Sequence, residues 1–283
     1  MKTLVTIAVI AVIVLGFFAF TNKGEQSSVS HKGFSGVVTE VNLEGAALDG
    51  PVLVHATDAE GKGFIVAVPS FGLPLCEAFT NIADVYQIKS GDRIEVNGSA
   101  DENDRVVPCE SADHYLRVIG VVLDQEVELA FEYRKGPDGY VLESIPVSGF
   151  PESSFIKGYQ LMTQSDYDDL VASEAPREGP PTIQILVFKN EGNQSASNWV
   201  DEFSQFSNIG LALGEINRDA TLSGANAVHY KADGLYVSEV IVAASGGYIY
   251  MVSGAYIDEA SIIRSDFEPF ADSIEFIQGS DTN

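Results

Sequence analysis

Residues 224–256 read GANAVHYKADGLYVSEVIVAASGGYIYMVSGAY and indicate how the second half of the chain folds. Three runs between residues 227 and 257, AVHYKA, GLYVSEVIVAA and GYIYMVSGAYI, are rich in Val, Ile, Ala and Tyr and are punctuated by Gly. β-Branched and aromatic residues favour strands, and Gly246-Gly247 is a pair suited to a hairpin turn. The sequence therefore predicts an antiparallel meander over residues 227–257.

Further strands and helices are predicted on both sides of this meander. Trp199, Phe203 and Phe206 recur at helical spacing in SASNWVDEFSQFSN, so one face of a helix there should pack on the sheet. Ser165 is a plausible N-cap for a shorter helix, SDYDDLVAS. The other predicted elements are the hairpin FEYRKGPDGY, the strand TIQILVFK, the helix DEASIIRSDFEPFADS and a terminal strand IEFI.

This order of elements resembles the PsbP-like family over residues 126–278. The carrying residues are FEYRKGPDGY, TIQILVF with the Trp199 helix, the 224–256 run and the ending FEPFADSIEF. The resemblance implies an α-β-α sandwich that is often secreted or membrane-tethered. Members act as adaptors or assembly factors or have no known role, so no functional residue is carried over.

Short Val- and Ile-rich runs between residues 34 and 122 predict a small five-stranded barrel, with one helix, CEAFTNIADVYQI, between its third and fourth strands. The runs GFSGVVTEVN and GDRIEVNG resemble OB-fold domains over roughly residues 33–120. OB folds commonly bind oligonucleotides with basic grooves and stacking aromatics, which are scarce in this segment. The predicted fold class is α+β: an N-terminal transmembrane helix, an OB-like barrel and a PsbP-like antiparallel sheet with flanking helices.

The uncharged run LVTIAVIAVIVLGFFAF at residues 4–20 predicts a transmembrane anchor. Lys2 favours a cytoplasmic N-terminus, so the expected location is a single-pass membrane protein with extracytoplasmic soluble domains. A cleaved signal peptide is the alternative. The expected divisions are an anchor or signal segment at 1–22, a flexible linker at 23–33, a barrel at 34–122, a sandwich at 126–278 and a tail at 279–283. A single soluble domain remains the other possibility.

The formal charge of -25 and the two cysteines limit the partners and the redox compartment. A strongly acidic surface repels phosphate backbones, so nucleic acid is excluded as an expected partner. In an exported chain Cys76 and Cys109 are expected to form a disulfide. Two free thiols in a metal site are the alternative, although no C-x-x-C pair is present.

No catalytic motif, metal cluster or phosphate-binding loop is found, so the expected catalytic residues, metal ligands and cofactors are none. The acidic runs at 101–104 and 166–169 could offer oxygen ligands to Ca²⁺, but solvated turns or a helix start explain them as well. Tyr236, Tyr248, Tyr250 and Tyr256 are predicted either to line a ligand groove or to pack in the core.

The resulting functional hypothesis is a membrane-anchored, extracytoplasmic, non-catalytic binding or assembly module that engages an envelope protein. The membrane is the second expected partner, through the N-terminal helix. The alternatives are an extracytoplasmic hydrolase whose active site is assembled from distant residues, and a protein that binds a small ligand or Ca²⁺.

Overall fold

The structure is a computed structural model that describes residues 31–48, 50–70, 76–136, 139–147, 154–173 and 178–277. The chain separates into two compact units, Met1–His31 and Lys32–Asn283. Residues 1–30, which contain the predicted transmembrane helix, lie outside the described residues, as does the predicted tail at 279–283.

Strands dominate the first half of the described chain, and five of them close into a barrel. The strands are β1 His31–Asn42, β2 Pro51–Thr57, β3 Gly63–Pro69, β4 Arg93–Ala100, β5 Val106–Val107 and β6 Tyr115–Asp124. The order β1-β2-β3-β5-β4 closes because β1 also pairs with β4. Successive side chains of a strand point to opposite faces, so Val52 and Val54 of β2 and Ile94 of β4 are buried in the barrel core.

The segment between β3 and β4 differs from the predicted α-helix. Residues 76–88 contain a short 3-10 helix, Phe79–Asn81, followed by turns. The N–H of Tyr86 donates to the Asp84 carboxylate at 3.0 Å, and the N–H of Ala83 donates to the Leu116 carbonyl at 2.8 Å. Aspartate side chains that bond to the local backbone compete with helix formation. The Ala83 N–H, which is bonded to β6, is likewise not available for a helical hydrogen bond.

The predicted disulfide is confirmed. Cys76 and Cys109 are bonded, with their Cα atoms 4.7 Å apart and a sequence separation of 33. The bond joins the segment before the 3-10 helix to the loop between β5 and β6. The alternative of two free thiols in a metal site is wrong, because both sulfur atoms are used in the disulfide.

The second half of the described chain forms a sheet with helices packed on it. Its strands are β7 Leu129–Lys135, β8 Tyr140–Ile145, β9 Phe155–Thr163, β10 Ile183–Lys189, β11 Ala212–Leu222, β12 Ala225–Asp233, β13 Val237–Ser245, β14 Tyr248–Tyr256 and β15 Glu275–Phe276. Its α-helices are α1 Gln164–Ala172, α2 Ala196–Glu202, α3 Ser204–Ser207 and α4 Ile262–Asp272. Further 3-10 helices lie at Gly45–Leu48 and Ile209–Leu211. The strand order is β7-β8-β9-β10-β14-β13-β12-β11, and β12, β13 and β14 are the predicted antiparallel meander.

Helices cover both faces of this sheet. On one face Phe267 of α4 packs in a cluster with Tyr250 of β14. On the other face Trp199 of α2 is buried, and Phe203 and Phe206 pack against the same cluster. The predicted apolar face of this helical segment is therefore confirmed, although the helix is interrupted at Phe203.

Helix α1 begins earlier than the sequence predicts. Thr163, rather than Ser165, is its N-cap, because the Thr163 hydroxyl accepts a hydrogen bond from the N–H of Asp166 at 3.1 Å. The same hydroxyl lies 2.7 Å from the Asp166 carboxylate, to which it donates. This reciprocal pairing satisfies a free N–H group of the first turn.

One continuous sheet joins the two halves, since β6 pairs antiparallel with β7 from Val118↔Lys135 to Asp124↔Leu129. The predicted α+β class is wrong: the described chain is mostly β, with a closed five-stranded barrel, because short helices merely flank an extended set of paired strands. Within the described ranges no helix has the length and apolar character needed to cross a membrane. The boundary between 122 and 126 stays a prediction.

Candidate functional site

A cavity of about 190 Å³ lies where the outer face of the barrel meets helix α4. Strands β4 and β6 contribute one wall, and β7, β8, β10 and α4 contribute the rest. The apolar and aromatic part of the lining consists of Ile119, Tyr133, Tyr140, Ile183, Pro269 and Phe270. The remaining part is mainly charged, so the cavity combines apolar surface with fixed polar groups, as ligand sites commonly do.

The pleat of β4 and β6 determines which side chains reach this cavity. Ile94 and Leu116 are buried in the barrel core. Their neighbours Glu95 and Arg117, which are directly opposite each other in the β4–β6 ladder, therefore point to the outer face and line the cavity.

Two ion pairs hold the acidic side chains that β7 and α4 contribute to the cavity lining. Arg134 Nη2 lies 2.7 Å from Asp266 Oδ2, and the Tyr140 hydroxyl donates to the same oxygen at 2.9 Å. Glu132 is paired with Arg93 of β4. Both carboxylates are therefore engaged by donors, and the Arg134–Asp266 pair ties the sheet to helix α4.

The two tyrosines of the lining stay protonated at physiological pH. Burial, followed by the charge and the hydrogen bond of Asp266, raises the pKa of Tyr140 above its ordinary value. Burial also raises the pKa of Tyr133. Both phenols therefore act as neutral hydrogen-bond donors rather than as bases.

Ser273 places a hydroxyl on the cavity wall, but the backbone holds it. Its Oγ lies 2.7 Å from the Phe270 carbonyl and 3.1 Å from the Glu132 carbonyl, and it accepts from the Glu132 N–H at 3.1 Å. The described lining contains no His or Lys that could take a proton from this hydroxyl. These three hydrogen bonds of the Ser273 hydroxyl are all to backbone groups, so none of them is to a side chain that could activate it as a nucleophile.

Arg117 is a charged residue of the lining that contacts an aromatic ring. Its guanidinium lies 4.2 Å from the centre of the Tyr115 ring, in a cation–π contact. In the part of the chain that the structure describes, it forms no ion pair, although Glu95 is its cross-strand neighbour. The stacked guanidinium thus keeps its hydrogen-bond donors available.

The four tyrosines predicted for a groove lie on or beside β13 and β14 and do not line this cavity. Tyr236, Tyr248 and Tyr250 each donate a hydroxyl hydrogen bond to a backbone carbonyl, at 2.8, 3.0 and 2.8 Å respectively. Tyr250 and Tyr256 are buried. Their assignment to a ligand groove stays a prediction.

The acidic runs and the histidines are likewise apart from the cavity. The Asp101 carboxylate accepts from the N–H groups of Asn103 and Arg105, at 2.8 and 2.9 Å, which makes the first run a turn. His229 is 2.9 Å from Glu239, across β12 and β13. Among the described residues no three His, Cys, Asp or Glu side chains are grouped so that they could hold a metal ion.

The residues of this cavity were not predicted from the sequence. A signal was present, because Arg93, Arg117 and Arg134 stand on three strands, β4, β6 and β7, of a chain that has only 16 basic residues. Alternation along a strand with one buried face places its polar side chains on the outer face. Their convergence depends on the pairing of β6 with β7, which the sequence pattern does not reveal.

The chain matches no protein-family model, and no curated protein matches it. The resemblances to the PsbP-like family and to OB folds stay predictions.

Proposed function

We propose that this chain is a non-catalytic, extracytoplasmic binding module and that the cavity beside α4 is the site at which it engages an envelope protein. The observation that carries the proposal is Arg117, an arginine that forms no ion pair with a described residue and lies on a partly apolar cavity wall. Arginine is enriched at the energetically important positions of protein interfaces, where aromatic and apolar groups surround it.

The construction of the wall supports a preorganised binding site. Its residues come from paired strands and from one helix rather than from long loops. The Arg134–Asp266 pair and the Tyr140 hydrogen bond fix the sheet to α4. Sites on rigid elements hold their geometry before the ligand arrives, which lowers the entropy lost on binding.

The chemistry of the lining favours binding over hydrolysis. The Ser273 hydroxyl is held by backbone groups, and both tyrosines of the lining stay protonated. The Cys76–Cys109 disulfide supports an extracytoplasmic location, because disulfides persist in oxidising compartments. The strand order β1-β2-β3-β5-β4 supports an OB-like barrel, and helices on both faces of the second sheet support a PsbP-like sandwich.

Site-specific photocrosslinking in cells tests the proposal on the full chain. A benzoylphenylalanine in place of Ile119 should give one discrete adduct with a protein. The same group in place of Leu235, which is 66% exposed and outside the cavity, should not give that adduct.

Two results would count against this function. One is the absence of any adduct specific to position 119. The other is turnover of an ester or a peptide by the purified chain that the Ser273→Ala substitution abolishes, which would make the chain a hydrolase.

A further inference from the structure

Two side chains on the cavity wall have hydrogen-bond donors that meet no acceptor in the described part of the chain. Arg117 forms no ion pair, and the Tyr133 hydroxyl makes no hydrogen bond. Arg134 Nε also has no partner, but it is fully buried and lies out of reach of a ligand. Half-buried donors that meet no protein acceptor suit the wall to a ligand that brings acceptor oxygens.

The acceptors on the wall are mostly engaged. Glu132 is paired with Arg93, and Asp266 accepts from Arg134 and Tyr140. Glu95 is the exception, because it makes no ion pair or hydrogen bond with a described residue. Its single negative charge, next to the unpaired Arg117, should penalise a doubly charged anion more than a singly charged one.

The size and the apolar surface of the cavity restrict the part of the ligand that does not carry the acceptor oxygens. Its volume of about 190 Å³ is below the roughly 300 to 1,000 Å³ of pockets for drug-sized molecules. Ile119, Ile183 and Phe270 offer apolar surface beside the free donors. A short apolar group therefore fits in the cavity.

We infer that the cavity binds a carboxylate carried on a short apolar group, with Arg117 and Tyr133 as its donors. This inference rests on the proposed function, since it names the chemistry recognised at the same site. Two sources have this chemistry: a small free acid and the C-terminal carboxylate of a partner protein whose last side chain is apolar. Planar guanidinium groups suit carboxylates because two parallel donors can meet the two oxygens.

Calorimetric titration of the purified full chain tests the inference with defined probes. The probes are 3-phenylpropionate and its amide, acetyl-Ala-Phe with a free or amidated C-terminus, and inorganic phosphate. At least one of the two free carboxylates should bind at least about tenfold more tightly than its amide, because charge-assisted hydrogen bonds are lost in the amide. Phosphate should bind more weakly than that carboxylate.

Substitutions assign the binding to the wall. Arg117→Gln should weaken binding by roughly ten- to a hundredfold, and Arg218→Gln, in an exposed pair with Asp201, should leave it unchanged. Glu95→Gln should strengthen binding, because a like charge is removed. Ile119→Trp should block the cavity, whereas Val121→Trp, two residues along the same strand and 55% exposed, should not.

The possible results distinguish the two sources of the carboxylate. They also distinguish a failure of this inference from a failure of the proposed function. Binding of 3-phenylpropionate alone indicates a small acid, and tighter binding of the acetyl-Ala-Phe acid indicates a protein C-terminus; both support the inference. Equal binding of acids and amides, no binding of either acid, or no effect of either Arg117→Gln or Glu95→Gln overturns it. The proposed function then still stands if the crosslink at position 119 forms, and it fails separately if that crosslink is absent.

Discussion

At the scale of single residues, the contact between Gly254 and Phe267 sets how closely helix α4 approaches the sheet. A Cβ atom at position 254 would overlap the Phe267 ring, which is 2% exposed and cannot swing into solvent. We expect Gly254→Ala to lower the free energy of unfolding by about 1 to 3 kcal/mol, as overpacked cores do. Urea denaturation measures this change.

Gly210→Ala is the matched control for Gly254→Ala. No heavy atom beyond the immediate neighbours lies within 4 Å of a Cβ at position 210. The control should change stability by no more than about 0.5 kcal/mol. Equal stabilities of the two variants would show that α4 does not pack on β14 in this way.

Asp124 links the end of β6 to β9 and should make stability depend on pH. It is 2.6 Å from Lys157 Nζ, is 11% exposed and accepts a hydrogen bond from Tyr159. Burial raises the pKa of Asp124, but the hydrogen bonds from Lys157 and Tyr159 outweigh burial and hold this pKa below its ordinary value. The stability due to ionised Asp124 is therefore complete above the unfolded pKa of about 3.9 and is lost as the pH falls through the folded value.

We expect Asp124→Asn to be less stable than the unchanged chain at pH 7, by about 1 to 3 kcal/mol, because Lys157 and Tyr159 lose a charged partner. Below about pH 4 the difference between the two should shrink, as Asp124 itself becomes protonated. Denaturation curves at a series of pH values measure this convergence. A difference that stays constant down to pH 2, or an equal effect of the exposed control Asp233→Asn, would contradict it.

At the scale of structural elements, the disulfide restrains the segment that connects β3 to β4. The chain-entropy model assigns about 3 to 4 kcal/mol to closing a loop of this length, the bonded cysteines being 33 positions apart. We expect the double variant Cys76→Ala/Cys109→Ala to lose stability by that amount in urea denaturation. A stability equal to that of the oxidised chain would show that the bond does not restrain the unfolded state.

Strands with one buried face could be predicted from the sequence, whereas elements without a clear period could not. The alternation in PVLVHAT places Val52 and Val54 in the core, and the structure confirms this strand as β2. Strand β11 was missed because it is the edge strand and most of its side chains are exposed, so no alternation marks it. The helix at 76–88 was wrongly predicted because bonds to Asp84 and to the sheet replace helical hydrogen bonds.

At the scale of the whole molecule, the formal charge of -25 implies internal repulsion that salt should relieve. Raising NaCl from about 10 mM to 1 M shortens the Debye length from roughly 30 Å to 3 Å. We expect the melting temperature of the full chain to rise over this range, as scanning calorimetry can show. A melting temperature that falls would indicate that the attractive ion pairs outweigh the repulsion, and glycerol is the uncharged control.

The residues of the candidate site come from distant parts of the chain, which explains why the sequence did not predict the site. Arg117 comes from the barrel, Arg134 from the strand that continues the sheet, and Asp266 from a helix 132 positions further along the chain. Local patterns placed each residue on a strand or a helix. Only the β6–β7 pairing and the packing of α4 bring them to one cavity.

Methyl NMR of the isotope-labelled full chain during titration with 3-phenylpropionate tests most directly whether this cavity binds a carboxylate. The predicted result is that the methyl signals of Ile119 and Ile183 shift progressively and saturate. The signal of Ile257, which is 71% exposed and outside the cavity, should stay in place. Unchanged signals of Ile119 and Ile183 at saturating acid, or shifts confined to other parts of the molecule, would contradict the assignment.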